Sequence, residues 1–414
     1  MTESKGTPAS AASGRPTKAV GARATRATGR RSQAMLLMRI ASMIALVALV
    51  ATYFAPVWWV ALTAPNYPPQ TFPDGVRINF HVNRISNGCE MRQSKEVVEK
   101  EPLDCVHEMD TINHFVGMYP IASGGPVEKL LSPFLFSFLG VMIIGFALPG
   151  VRLRTTVMAL GFAAIAVWMS LALFSSNGVH YLNRGWVAGL VDSLGRGEDE
   201  GSDENLNPVV RQLKESLAKS HFGEAAATKV VGDASKDQLI QVLKTVYDAK
   251  APVSLTDPTP GWSGRGIDVM AWHYEESLGR WFNEPAKNAH LVGIMKTVVY
   301  IVYAAVLAAM LGFLWIARKP RSVVFYALGL VPMILPVAFV MEYAGWLWWY
   351  GHSLNAMGAF TLTPFMPTVF GEGKVAQFTT RSYPYWGFAF MCVVGVAMAL
   401  AVLARRAAPK AAKD

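Results

Sequence analysis

Six mostly apolar runs punctuate the chain, near Ile40 to Leu62, Leu130 to Leu148, Thr155 to Phe174, Leu291 to Ala317, Val323 to Trp349 and Tyr385 to Ala404. A helix needs about 20 residues to cross the hydrocarbon core of a bilayer, so each run predicts a transmembrane span. The short connections carry the basic residues: Arg152 and Arg154 after the second run, Arg318, Lys319 and Arg321 after the fourth, Arg405, Arg406, Lys410 and Lys413 after the last. They fall on the same side as the basic N-terminal stretch, and by the positive-inside rule that side is the cytoplasm.

The prediction is an α-helical polytopic membrane protein of the bacterial inner membrane with both termini inside. It divides into a disordered basic tail (1–35), a first span (36–62), an outer segment (63–129), the second and third spans (130–174), a partly helical outer segment (175–290), the fourth and fifth spans (291–349), an outer loop (350–384), the sixth span (385–404) and a short tail (405–414). Within the outer segments, Val76 to Asn83 alternates apolar and polar residues as a half-buried strand does, which predicts a small mixed α/β head. Helical patterns lie near Pro208 to Ser220, Lys236 to Lys250 and Ile267 to Phe282, with an acidic linker at Glu198 to Glu204.

Composition agrees: 52% of residues are hydrophobic and 16% charged, and the mean hydropathy is +0.29, which is too apolar for an ordinary soluble chain. The formal charge of +9 sits largely beside the spans, so it reads as topology and not as a nucleic-acid surface. Of three cysteines, Cys392 lies in a span, which leaves Cys89 and Cys105 as a disulfide pair for an oxidising outer compartment or as two free thiols.

All eight histidines fall in the outer segments or at their edges. The densest polar cluster runs from Asp104 to Met118. If it is one helix, His107, His114 and Met118 share a face to within about 20°. Two imidazoles and a thioether suit copper, the sulfur favouring Cu(I). Gly117 would let the third outer segment approach and supply His352, and Tyr119-Pro120 would end the helix. The expected metal site is therefore His114, Met118 and His352, with His107 as an optional fourth ligand. The alternative is that Met118 and Phe115 pack in the head core. Lys296 and Glu342 lie inside spans, where they either pair with each other or line a path. The sequence carries no nucleophile elbow, phosphate loop, zinc signature or haem motif.

Ile112 to Met118, Tyr350 to Leu354 through Phe378, Ser382-Tyr383-Pro384 and the Ala64 to Gly75 segment together resemble a family of bacterial polytopic membrane proteins associated with nitrous oxide reductase and related copper enzymes as accessory proteins. Residues around Gly88 to Cys105 look like an insertion in that pattern, with His107 at its edge. The resemblance implies copper handling, with a periplasmic copper enzyme or copper chaperone as partner besides the lipid bilayer. The reading is a non-enzymatic accessory protein with a copper site on its outer side. Its competitors are a permease for a small solute and a structural subunit of a respiratory or monooxygenase complex.

Overall fold

The computed structural model describes residues 17–65, 67, 72–89, 104–195, 234–250, 261–359, 362–375 and 377–408, with only the backbone for 17–28, 195 and 250. The expected helix near Pro208 to Ser220 and the acidic linker lie outside these residues. The chain is mostly helical. Five described helices are long and apolar enough to cross a membrane, and a bent pair counted as one span makes six.

Helix α1 spans Thr17–Phe54, so the basic stretch expected to be disordered is helical from Thr17. Its Ala, Arg and Lys residues are good helix formers, and no proline falls between Pro16 and Pro56. The first span stops at Phe54, short of the predicted Leu62. Ala55 precedes Pro56 and is pushed out of the helical region. The aromatic and β-branched run that follows, Trp58–Thr63, forms strand β1 instead.

The other long helices are α3 (Pro126–Ala147), α4 (Val151–Phe174), α8 (Pro285–Ala317) and α11 (Trp386–Ala407); helices α2, α5 to α7, α9 and α10 are placed below. α1 lies along α11, and α3 packs on α4. The fifth predicted span is not one helix. It breaks into α9 (Ala327–Met333) and α10 (Leu335–His352), bent by 54°. Pro336 at the start of α10 cannot donate a backbone hydrogen bond to the turn before it, which explains the break. At one end of the bundle the basic residues gather. The Arg154 guanidinium donates to the Gly145 and Leu148 carbonyls (2.9 and 2.7 Å), Arg405 donates to Phe146 O (3.3 Å), and both lie over the Phe325 ring.

The opposite end carries the head. Its antiparallel sheet has the order β3-β2-β1-β5-β4, with β2 at Val76–Phe80, β3 at Ile85–Asn87, β4 at Gly371–Val375 and β5 at Phe378–Pro384. β1 is central, pairing Val60 with Ile78 on one side and with Ser382 on the other. The segment leaving the first long helix is thus bonded to the segment entering the last. Trp58 Nε1 donates to Ser382 Oγ (2.8 Å), which donates in turn to Val369 O (2.8 Å).

Helix α2 (Cys105–Phe115) packs against β2. Asp104 caps it by accepting from the Val106 and His107 N–H groups, and Cys105 is bridged to Cys89 with Cα atoms 6.0 Å apart. Cys105, Val106, Met109, Ile112 and Asn113 are buried, a spacing that lays one helical face on the sheet. Met109 and Ile112 join Val76, Ile78 and the residues Tyr274, Leu278 and Phe282 in one core. Burying each such side chain contributes about 1.5–3 kcal/mol.

Candidate functional site

Helix α2 ends at Phe115, before Met118, so the two residues expected on adjacent turns of one helix are not there. Gly117 has φ +81°. Its N–H donates to His114 O (2.9 Å), and the Met118 N–H donates to Asn113 O (2.8 Å). This pair of bonds is the Schellman ending, in which glycine takes the left-handed position and reverses the chain. Met118 is thereby carried into the head core, 4% exposed. The packing alternative for Met118 holds, although Phe115, assigned to the core with it, is 48% exposed.

His107 and His114 do share a face of α2, but Trp281 stands between them. This residue ends α7 (Gly266–Trp281). Its ring centroid is 5.6 Å from that of each imidazole. Two turns of helix separate the histidines by about 10 Å, so the indole fills the space that a shared ion would need. Burial holds the His114 imidazole below its ordinary range. The Nδ1 atoms of both histidines are buried without a hydrogen-bond partner. His352, at the exposed end of α10, stacks on Trp348 (4.6 Å between centroids) and donates from Nδ1 to Trp348 O (2.8 Å). The four expected ligands are therefore not assembled around one point. Among the described residues no group of three or more His, Cys, Asp or Glu is placed to hold a metal.

What approaches Gly117 is a different residue of the predicted third outer segment. The Asn355 N–H donates to Gly117 O (2.7 Å), and a Cβ on Gly117 would lie 2.6 Å from Asn355 O. Asn355 is 4% exposed; its side-chain amide donates to Tyr119 Oη (3.4 Å) and to Glu284, and its Oδ1 accepts from Met357 N (2.9 Å). The Asn355 bond holds the Glu284 carboxyl below its usual range. Three stretches distant in sequence meet here. Met357 projects from the junction 53% exposed, beside Gly358, which packs on the Gly117 backbone. Sequence reading missed Asn355 and Met357. The available signal was Gly117 itself, whose close approach was anticipated with His352 as the wrong visitor.

A polar pocket lies elsewhere at the head end, where the first turn of α3 meets the β2–β3 connection and helices α5 (Arg184–Gly195) and α7. Its cavity volume is about 40 Å³, and its lining includes Asn83, Arg84, Ser123, Lys129, Ser193, His273 and Tyr274. Lys129 Nζ donates to Ala122 O (2.8 Å). His273 Nε2 lies 2.6 Å from Ser193 Oγ and 3.2 Å from Leu190 O. Burial, reinforced by the Lys129 charge, pushes that imidazole down to about 3, so it is neutral at pH 7. Asp110 accepts from the Ile121 and Ala122 N–H groups, and Glu128 accepts from Trp346 Nε1, both outside the lining.

Lys296 and Glu342 do not pair with each other. Lys296 Nζ reaches Asp268 of α7 at 2.9 Å, while Glu342 lies on the exposed side of α10 with no bond to a described residue. The snorkelling lysine found a partner in the head because its site on α8 is close to the end of that helix that meets α7. Comparison with family models, with curated proteins and with solved structures finds no match for this chain.

Proposed function

We infer that the chain is a non-enzymatic accessory protein of the bacterial inner membrane that handles copper on its periplasmic face. The basic residues gathered at one end of the bundle support a cytoplasmic placement of that end, with both termini inside and the head outside. The observation that carries the copper reading is the Gly117–Asn355 junction. It joins the segment bearing His114, whose Nδ1 has no partner, to the segment bearing the exposed thioether of Met357. An imidazole and a thioether on two touching segments fit Cu(I), and a site of few ligands releases its ion readily to a partner copper enzyme or chaperone. In this reading His114 and Met357 hold the ion, and Met118 and His352 do not.

A permease needs charged or polar groups along its spans. Lys296 is instead drawn to the head by Asp268, and the sheet bonds the segments next to the first and last spans to each other, which favours a fixed platform over a rocking pair of halves.

The test is Cu(I) competition titration of the detergent-purified protein. His114→Ala and Met357→Ala should each weaken binding by roughly tenfold or more, an effect of about 1.4 kcal/mol per decade, while Met118→Ala and His352→Ala leave it unchanged. Equal affinity in wild type, His114→Ala and Met357→Ala would remove copper from the reading.

A further inference from the structure

The pocket beside Lys129 is lined by an unusual surplus of hydrogen-bond donors. Arg84 makes no hydrogen bond or ion pair with a described residue, and the Ser123 and Tyr274 hydroxyls make none either, although Ser123 is 7% and Tyr274 2% exposed. Lys129 uses one of its three N–H groups on Ala122 O. The lining contains two cations and no carboxylate. The polar tips of Arg84, Ser123 and Tyr274 are not sealed off but open into the pocket, so a ligand rich in acceptors complements them.

Space for Arg84 is made by glycine. A Cβ on Gly185 would lie 3.2 Å from Arg84 Nη1, and one on Gly189 would lie 3.6 Å from Arg84 Cβ. The one unmatched acceptor is Asn83 Oδ1, buried and without a partner. The complementary ligand is therefore an anion with several oxygens that also carries a hydroxyl. Carboxylate alone offers no donor for Asn83; a hydrogenphosphate group, or a phosphodiester beside a glycerol hydroxyl, offers both.

We propose that this pocket is a binding site for a hydroxyl-bearing phosphate group, with Arg84 and Lys129 as its charge partners, Ser123 and Tyr274 as neutral donors and Asn83 as the acceptor. Its place at the first turn of a membrane-spanning helix puts it at headgroup depth, within reach of a phosphatidylglycerol headgroup as well as free phosphate. The site is independent of the His114 and Met357 junction and of copper.

The experiment uses the full chain, delipidated in detergent, in two arms. Inorganic phosphate is titrated calorimetrically. Separately, the protein is mixed with phosphatidylglycerol or phosphatidylcholine and its retained lipid is counted by native mass spectrometry. Arg84→Gln removes a charge-assisted contact and should weaken binding by about tenfold; Arg381→Gln, an exposed side chain on β5, should leave it unchanged. Ser123→Ala serves as a second, milder variant, and an intact Cys89–Cys105 disulfide reports that the head has folded in each. Phosphatidylglycerol retained in preference to phosphatidylcholine, without phosphate binding, identifies a lipid site, and saturable phosphate binding identifies a soluble ligand. Neither ligand binding, or equal binding in wild type, Arg84→Gln and Ser123→Ala, overturns the proposal.

Discussion

Helices α3 and α4 are joined by three residues and pack on each other, whereas in the head Thr63 and Thr379, 316 positions apart, sit on paired strands. The bundle joins neighbours such as α3 and α4 as well as its first and last helices, α1 and α11, and each long helix satisfies its own backbone and is stable in lipid before it meets a partner. The sheet is assembled from the two ends of the spanning region, so β1 waits for β5 until every long helix but the last has been made. The bundle and the head should consequently fail separately: damage to the head should leave the spans inserted.

The strongest way to break that separation is at Gly117. Valine there would be forced into a left-handed conformation, and its Cβ would press on the Asn355 carbonyl. The strain of a β-branched residue at positive φ and the overlap together cost about 4 kcal/mol. Gly117→Val should expose the head to protease in intact membranes while the spans stay protected. Loss of the spans together with the head would show one cooperative unit.

The Cys89–Cys105 bridge should produce the next largest effect. It closes a loop with a sequence separation of 16, which on the chain-entropy model stabilises by about 3 kcal/mol. Cys89→Ser with Cys105→Ser should lower the head's unfolding midpoint in denaturant without altering far-ultraviolet helicity. An unchanged midpoint would mean that the core around Met109 and Ile112 holds α2 on the sheet without help.

The same contrast explains what was legible in the sequence. The five or six long apolar helices, the gathering of basic residues at one end, strand β2 and helices α6 (Lys236–Lys250) and α7 were readable because each is written in a local period or a local charge pattern. The disulfide was readable because cysteines are few. Apart from the N-terminal stretch that is helical from Thr17, the errors in element boundaries came from two prolines and one glycine acting over their neighbours. Pro56 turned the end of the first apolar run into a strand, Pro336 divided the fifth, and Gly117 ended α2 one turn early and took Met118 away from the histidines. Trp281 was invisible as a spacer because it arrives from 167 residues beyond His114 (281 minus 114). Asn355 was invisible for the same reason. A face shared on one helix says which side chains point together, and only the remainder of the chain says what stands between them.

The smallest expected effect is a pH dependence confined to the head. His273 is held neutral in the fold at about 3 and His81 at about 4, both mainly by burial, with Lys129 and Arg280 facing the first and Arg84 the second. In the unfolded chain a histidine titrates near 6.5. Between those values the unfolded state binds more protons than the folded one, so stability is fully present above about pH 7 and declines as pH falls below 6.5, continuing down toward 4 and 3. Each histidine should cost the head about 1 kcal/mol between pH 7 and pH 5.5. His273→Gln keeps a polar side chain near Leu190 O but does not titrate, and it should remove that residue's share, about 1 kcal/mol between pH 7 and pH 5.5. The measurement is the denaturant midpoint of head unfolding at pH 7.0, 6.25 and 5.5 in both proteins. The spans carry no part of this prediction, so their unfolding should not follow the same curve. An identical slope in wild type and His273→Gln would place the acid-sensitive step outside the pocket, and with it the claim that a neutral His273 is part of how that pocket is built.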